Sequence, residues 1–307
     1  MILGALNRAD LAGLGFRDED AARCRELIDS LPRHPERLAR VAALAEQLRA
    51  RIGRFHDDDL PVRDDNGTAS FEEGLVTLLA LIAVAQDVHD FLTARGLPDD
   101  LAWATLADLG QQVHVFKEVF GFLGLRAQTW CVANFSGRHL WLGRLQYTLE
   151  QDDVPFVGVH IPETGPLTPD LVDASLDAAR VLVPRLFPEH PAQEFRLTSW
   201  LLDPLVIDAL PPESNLARFA RRFKIIDDGE PDPRDAFFFV FHTELRLQPV
   251  DLSGLPRDSS LQRAVLDVPV EQLRVPTGRL WETGQTSGRS GDRIRPTATQ
   301  HTRHRKE

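Results

Sequence analysis

Residues 154–171, VPFVGVHIPETGPLTPDL, place a strand, a turn and the start of a helix in close succession. The apolar, β-branched residues 154–161 predict a strand, and the prolines and glycine of residues 162–167 predict a turn. Thr168 followed by proline is a typical helix start, and apolar spacing continues that helix to residue 186. Free backbone N–H groups and the helix dipole attract anions to such a start. The sequence therefore predicts a phosphate-binding turn with donors at Thr164, Gly165, Leu167 and Thr168.

Further strands and a helix flank this turn. Residues 140–150 (LWLGRLQYTLE) and 195–202 (FRLTSWLL) predict strands, and residues 215–223 predict a helix. Ligands of open α/β sheets bind at the carboxyl ends of strands, so we expect a small-molecule site there. Alternation along the first strand places Arg144 and Gln146 on one face. The candidate substrate-binding residues are Arg144, Gln146 and Asp203, and Asn215 is interpreted first as a helix N-cap and second as a cofactor-binding residue.

Three side chains near these strand ends are candidate catalytic residues. His160 ends its strand directly before the turn, and imidazoles titrate near neutral pH, so it is a candidate general base. A structural histidine bonded to the backbone remains the alternative. Glu163 lies in the turn and is the second candidate base. Ser199 is a candidate nucleophile, but its surroundings (LTSWLL) lack the glycines of a nucleophile elbow, which disfavours a serine hydrolase.

The first third of the chain is predicted to be helical, because its apolar residues recur at helical spacing. A capping box formed by Ser70 and Glu73 opens an especially apolar helix, which we expect at the centre of a bundle. The pattern predicts four helices, at residues 18–29, 35–55, 71–94 and 99–120.

Composition changes after Gly124, where strand patterns and prolines become frequent. Residues 236–243 (AFFFVFHT) predict a strand, and residues 223–226 are its candidate hairpin partner. The Gly-, Ser-, Thr- and Arg-rich end predicts a disordered basic tail. The predicted organisation is α+β: a helical domain at 1–124, a mixed α/β domain at 125–283 and a tail at 284–307.

The amino-acid composition disfavours several kinds of partner and site. The net charge of −11 disfavours nucleic acid and anionic lipid as partners. Cys24 and Cys131 are the two cysteines, too few for a disulfide framework or a zinc site of common spacing, and are interpreted as buried apolar residues. Neither a membrane-spanning run nor a signal peptide is recognised, so the predicted location is cytoplasmic, with no metal cofactor.

Four segments carry a resemblance to a known family. They are RLQYTL (144–149), HIPETGPLTPD (160–170), SWLLDP (199–204) and SNLARFARRF (214–223). The chain resembles proteins that join a helical N-acyltransferase-type N-terminal domain to a GNAT-like C-terminal domain, to about residue 275. This resemblance implies an acyl-CoA or acetyl-CoA donor, with pantetheine between the strands at 154–161 and 195–202. It places the pyrophosphate at the turn 163–168.

Two GNAT features are absent from the sequence. There is no Gln/Arg-x-x-Gly-x-Gly/Ala loop, and the helix near Asn215 has no tyrosine to act as the general acid, because the only tyrosine is Tyr147. We predict acyl transfer from a CoA-type thioester to an amine of a small molecule or peptide bound between the two domains. A carrier-protein donor and a non-catalytic binding module on a degenerate GNAT scaffold are the alternatives.

Overall fold

The computed structural model describes residues 2–56, 60–62, 71–192, 194–245 and 251–281. The predicted cap at Ser70 and the predicted tail at 284–307 lie outside these residues. Helices occupy the N-terminal part, and a mixed sheet begins at His139. The first helices are α1 Ile2–Arg8, α2 Asp18–Ser30, α3 Pro35–Arg51, α4 Phe71–Ala94, α5 Asp99–Leu106, α6 Asp108–Phe120 and α7 Gln128–Ala133.

Helix α4 is the centre of the N-terminal domain, as its all-round apolar sequence predicts. Its residues from Val76 to Ala85 are buried between neighbouring helices. By length and composition alone α4 is also able to cross a membrane, but 72% of its most apolar stretch is buried inside the protein. Such burial is expected of a core helix.

The prediction of one helix over 99–120 is wrong. The chain breaks at Ala107 into α5 and α6, so that Asp108 starts a new helix and faces the protein interior. Cys24 and Cys131 are buried, as predicted, and burial raises the pKa of the Cys24 thiol to about 12.

The sheet has six strands in the order β1-β2-β3-β4-β6-β5. Strands β1, β2 and β3 form an antiparallel meander, β4 runs parallel to β3, and β6 is antiparallel to both β4 and β5. Helix α8, Pro169–Leu186, connects β3 to a loop before β4 and packs on the sheet. The strands are β1 His139–Leu142, β2 Leu145–Gln151, β3 Pro155–His160, β4 Phe195–Thr198, β5 Phe223–Asp227 and β6 Thr277–Leu280.

The predicted single strand over 140–150 is a hairpin. Gly143, with a φ of 70°, and Arg144 form the turn between β1 and β2. Arg144 therefore does not lie on the strand face of Gln146. A glycine inside a strand pattern is the signal that permits this turn.

Between β4 and β6 the chain builds a second, smaller core. Helices α9 Pro204–Ala209, α10 Asn215–Ala220, α11 Arg234–Phe241 and α12 Ser260–Asp267 surround it. The predicted strand at 236–243 is wrong, because this segment is α11. Its residues Ala236, Phe237, Val240 and Phe241 pack into that core at helical spacing. The strand β5 is confirmed, but the predicted hairpin is wrong, because the antiparallel partner of β5 is β6, which follows α12 in the chain.

Candidate active site

A cavity of about 1270 Å³ lies where three parts of the structure meet. The helical domain supplies one wall, which includes Phe71, Phe116 and Phe120. The sheet supplies the second wall through the ends of β3 and β4. The third comes from the small second core and contains Phe239, Val240 and Leu261. The cavity is thus shared between the two predicted domains, where the sequence predicted the acceptor to bind.

The parallel strands β3 and β4 separate at the cavity. They pair only at Val157 with Phe195 and at Gly158 with Arg196, whereas on its other edge β4 stays paired with β6 as far as Thr198. Beyond this point His160 on one side and residues 197–199 on the other line the cavity. The divergence opens a slot between two strand ends that is lined partly by backbone groups.

The turn after β3 is held by Arg144, which itself lines the cavity. Its guanidinium donates hydrogen bonds to the carbonyl oxygens of Pro162, Gly165 and Pro166, at 3.0–3.1 Å. Burial lowers the pKa of Arg144 from its ordinary value. Arg144 therefore stabilises the predicted phosphate-binding turn, and its predicted contact with substrate stays a prediction.

The donor set of this turn differs in part from the prediction. The Thr164 N–H is engaged within the turn, donating to the Pro162 carbonyl oxygen at 2.7 Å. The N–H groups of Gly165, Leu167 and Thr168 form no backbone hydrogen bond with the part of the chain that the structure describes. Thr168 is the N-cap of α8, and its side chain makes no capping hydrogen bond. The start of this 18-residue helix remains able to bind an anion.

His160 is held in the cavity wall by two polar side chains of β2. Its Nε2 lies 2.8 Å from Thr148 Oγ1 and 3.5 Å from Glu150 Oε1. Burial opposes the ionisation of Glu150, but its hydrogen bond to His160 and the nearby positive charges bring its pKa below the ordinary value. Because Nε2 faces these partners, Nδ1 is the ring nitrogen left to accept a proton.

The arrangement of Thr148, Glu150 and His160 depends on Gly158 of β3, which is paired with Thr148 of β2 and leaves room for these side chains. A Cβ at this position would lie 2.5 Å from Thr148 Oγ1 and closer still to Glu150 Oε1. We expect Gly158→Ala to displace the carboxylate from His160 and to lower kcat about 10- to 100-fold, since small misplacements near the reacting atoms are costly.

Steady-state kinetics with an acyl-CoA donor measures this effect. Gly254→Ala is the matched control, because a Cβ at Gly254 meets nothing within 4 Å and its kcat should stay at the wild-type value. An unchanged kcat in Gly158→Ala would contradict the role given to the Glu150 carboxylate.

The remaining candidate residues have distinct placements. Glu163 lies half-exposed in the cavity wall, with its Oε1 3.4 Å from His242 Nε2. Gln146 is buried in the wall and donates to Asp108 Oδ1 at 2.8 Å. Ser199 lines the cavity, and its Oγ accepts a hydrogen bond from the Leu201 N–H.

Asp203 and the start of α10 differ from what the sequence predicted. Asp203 is buried, caps α9 through Leu205 N–H and accepts from Arg274 N–H at 2.7 Å, outside the cavity lining. The N-cap of α10 is Ser214, whose Oγ accepts from Ala217 N–H, so the N-cap interpretation of Asn215 is wrong. Asn215 lines the cavity.

Sequence reasoning missed three members of the site. Glu150 was detectable, because residues 146, 148 and 150 alternate onto the face that His160 shares. Trp130 packs edge-on against His160, with 4.6 Å between ring centroids, and Asp108 accepts from its indole N–H at 2.9 Å. No local pattern signals these two, since both come from the helical domain. Among the described residues no cluster of His, Cys, Asp or Glu is arranged to hold a metal ion.

Comparison with known proteins identifies the class. Residues 8–137 match the model of the N-acyltransferase N-terminal domain, and residues 140–280 match the model of the GNAT-like C-terminal domain. No curated protein matches the sequence. The protein is an N-acyltransferase with a GNAT-like catalytic domain.

Solved structures agree with both matches. An acyltransferase in complex with decanoyl-CoA and teicoplanin is 29% identical, with a TM-score of 0.75. An acyltransferase in complex with decanoyl-CoA is 30% identical with a TM-score of 0.72, and a mutant acyltransferase with octanoyl-CoA is 28% identical with a TM-score of 0.75. Each comparison covers 88% of this chain and 85% of the other. The chain belongs to the family that joins an N-acyltransferase N-terminal domain to a GNAT-like C-terminal domain.

Proposed function

We propose that the protein transfers a medium-length acyl group from acyl-CoA to an amine of a small molecule or glycopeptide. The observation that carries this proposal is the cavity between the diverging ends of β3 and β4, with His160 in its wall. The similar acyltransferases that bind decanoyl-CoA, octanoyl-CoA and teicoplanin support the donor and acceptor classes. The cytoplasmic location predicted from the sequence belongs to this proposal.

The donor fits the sheet side of the cavity. The pantetheine arm would lie in the slot between the two strands, where backbone groups are available for hydrogen bonds. The pyrophosphate would bind at the start of α8, to the N–H groups of Gly165, Leu167 and Thr168. The acyl chain would pack on the phenylalanines of the helical domain, because apolar surface is available there.

The reaction is one nucleophilic substitution at the thioester carbonyl carbon. A neutral amine attacks, the C–N bond forms, and His160 Nδ1 accepts the proton that the nitrogen loses. The C–S bond then breaks, and the thiolate of CoA takes up that proton, from His160 or through water. The Glu150 carboxylate stabilises the positive charge that His160 carries between these two steps.

The acceptor fits the opposite side of the cavity. Its wall there carries Asp235 and Glu244, whose carboxylates lie 3.8 and 2.7 Å from the one Arg126 guanidinium between them, so the wall keeps a net negative charge. Carboxylates at a cavity mouth attract the ammonium form in which most amines arrive. Such a surface favours a cationic acceptor, in agreement with amine acylation.

The alternative functions have less support. A hydrolase would need a base beside Ser199, whose Oγ instead accepts a hydrogen bond from the Leu201 N–H. A binding module without catalysis would not need the Glu150–His160 pair in the cavity wall. Turnover separates these alternatives from the proposal.

Thermal melting with acyl-CoA and an acylation assay test the proposal together. Decanoyl-CoA at about 100 times its dissociation constant should stabilise the protein by roughly 2.7 kcal/mol and raise Tm by about 4 °C. Free decanoate is the control, because it has the chain without the nucleotide. Mass spectrometry of amine and glycopeptide acceptors should show the addition of one decanoyl group. Stabilisation without turnover on any amine would favour the binding module, and no stabilisation would favour a carrier-protein donor.

A further inference from the structure

The cavity wall contains a buried carboxylate that the reaction above does not use. Asp108 starts α6 and is only 4% exposed. Its hydrogen-bond donors are neutral: Trp130 Nε1 at 2.9 Å, Gln146 Nε2 at 2.8 Å and Gln112 Nε2 at 3.4 Å. Burying a carboxylate costs free energy unless hydrogen-bond donors satisfy it. The three hydrogen bonds therefore hold the Asp108 carboxylate in place, and the carboxylate in turn holds the three donor side chains.

The two closest donors both adjoin His160. The Trp130 ring packs edge-on against the His160 ring, at an interplanar angle of 65°. Gln146 on β2 is the residue directly opposite His160 on β3. Thr148 and Glu150 hold His160 through Nε2, while Trp130 restrains the ring by packing. Asp108 is therefore connected to His160 through two separate residues, Trp130 and Gln146, each of which contacts Asp108 and adjoins His160.

We propose that Asp108 is a positioning residue for His160, through which the helical domain completes the active site. It holds the Trp130 indole and the Gln146 amide, and these keep the His160 ring in the orientation that leaves Nδ1 to accept a proton. The inference rests on the proposed function only in treating His160 as the base. It gives the N-terminal domain a part in catalysis besides binding ligands.

The competing explanation is that Asp108 only stabilises the start of α6. Acidic residues in the first turn of a helix are favourable wherever they occur, by about 0.3–1 kcal/mol. Asp100 is such a residue in the first turn of α5, and it is exposed. Asp100→Asn therefore removes the same helix-start charge without touching the site, and it is the matched control for Asp108→Asn.

The kinetic test uses these two variants and the double variant with Trp130→Phe. Asparagine keeps the shape of Asp108 but offers an NH₂ group where two N–H donors converge. We expect Asp108→Asn to lower kcat roughly 10- to 100-fold, with KM for decanoyl-CoA changed less than about threefold. Asp108→Asn should lower kcat by a smaller factor when Trp130 is already phenylalanine, because only the route through Gln146 then remains. The proposal would be overturned if Asp108→Asn left kcat unchanged. It would also be overturned if Asp108→Asn lowered kcat by the same factor in the wild type and in Trp130→Phe.

A spectroscopic test does not depend on turnover. NMR of the imidazole of His160, assigned with His160→Gln, should show shifted ring resonances in Asp108→Asn and unshifted ones in Asp100→Asn. Unshifted His160 resonances in Asp108→Asn would overturn the positioning role, even in an active enzyme. If the wild-type protein acylates no amine but the His160 resonances shift, the proposed function fails and the positioning contact stands.

Discussion

Replacement of His160 by glutamine is expected to lower kcat for acyl transfer by about 100- to 10,000-fold, the usual contribution of a general base. Glutamine retains hydrogen-bonding groups near Thr148 and Glu150 but cannot accept the amine proton at neutral pH. KM for acyl-CoA should change little, because the pyrophosphate turn and the strand slot remain. Initial rates at saturating decanoyl-CoA, with a fixed amine, measure the effect.

Two further variants make this result specific. His34→Gln changes an exposed histidine outside the cavity lining and should retain wild-type kcat. Glu163→Gln compares the two candidate bases, and a larger loss there than in His160→Gln would overturn the assignment of His160.

The role of Glu150 follows from the same experiment. If its carboxylate acts by stabilising the protonated His160 ring, Glu150→Gln should lower kcat in the wild-type background and have little further effect after His160→Gln. Residues that act as a unit are strongly non-additive in this way. Additive losses would show that Glu150 acts independently of His160.

The turn at 162–167 and helix α8 were predictable because local chemistry determines them. Gly165 adopts a φ of 55°, and Pro169 occupies the first position of a helix, where its missing N–H costs nothing. The apolar, β-branched residues at 154–161 predicted β3 correctly, because a short run of this kind between turn residues favours a strand. His160 was therefore predictable as a strand-end residue near a phosphate-binding turn.

Features that depend on distant segments were not predictable. The run AFFFVF at 236–241 has no alternation, and short apolar runs fit a strand or a helix equally well. The second core stabilises the helix, because residues four positions apart lie on one helix face, so Phe237 and Phe241 can both pack into this core. The contacts of Asp108 with Trp130 and Gln146 likewise join residues 22 and 38 positions apart, which no local pattern reports.

His139 is expected to lower the free energy of unfolding at acid pH. It is buried beside the active site, and burial, together with the charges of His160 and Arg138, outweighs Asp108 and lowers its pKa from 6.5 to about 4. The unfolded chain therefore binds a proton between pH 6.5 and pH 4 that the folded protein does not, so stability falls as the pH falls through this range. At about 1.4 kcal/mol per pKa unit, His139 should account for a loss of roughly 2 kcal/mol between pH 7 and pH 5.

Urea unfolding at pH 7 and pH 5 measures this loss in the wild type and in His139→Gln. The variant is expected to be less stable at pH 7, because its site is buried, but its loss between the two pH values should be smaller by about 2 kcal/mol. The exposed His34→Gln should lose as much as the wild type. Glu150, whose pKa is lowered, adds acid sensitivity in both proteins below pH 4.5, outside this interval. An equal loss in wild type and His139→Gln would mean that His139 takes up its proton in the folded protein as readily as in the unfolded chain.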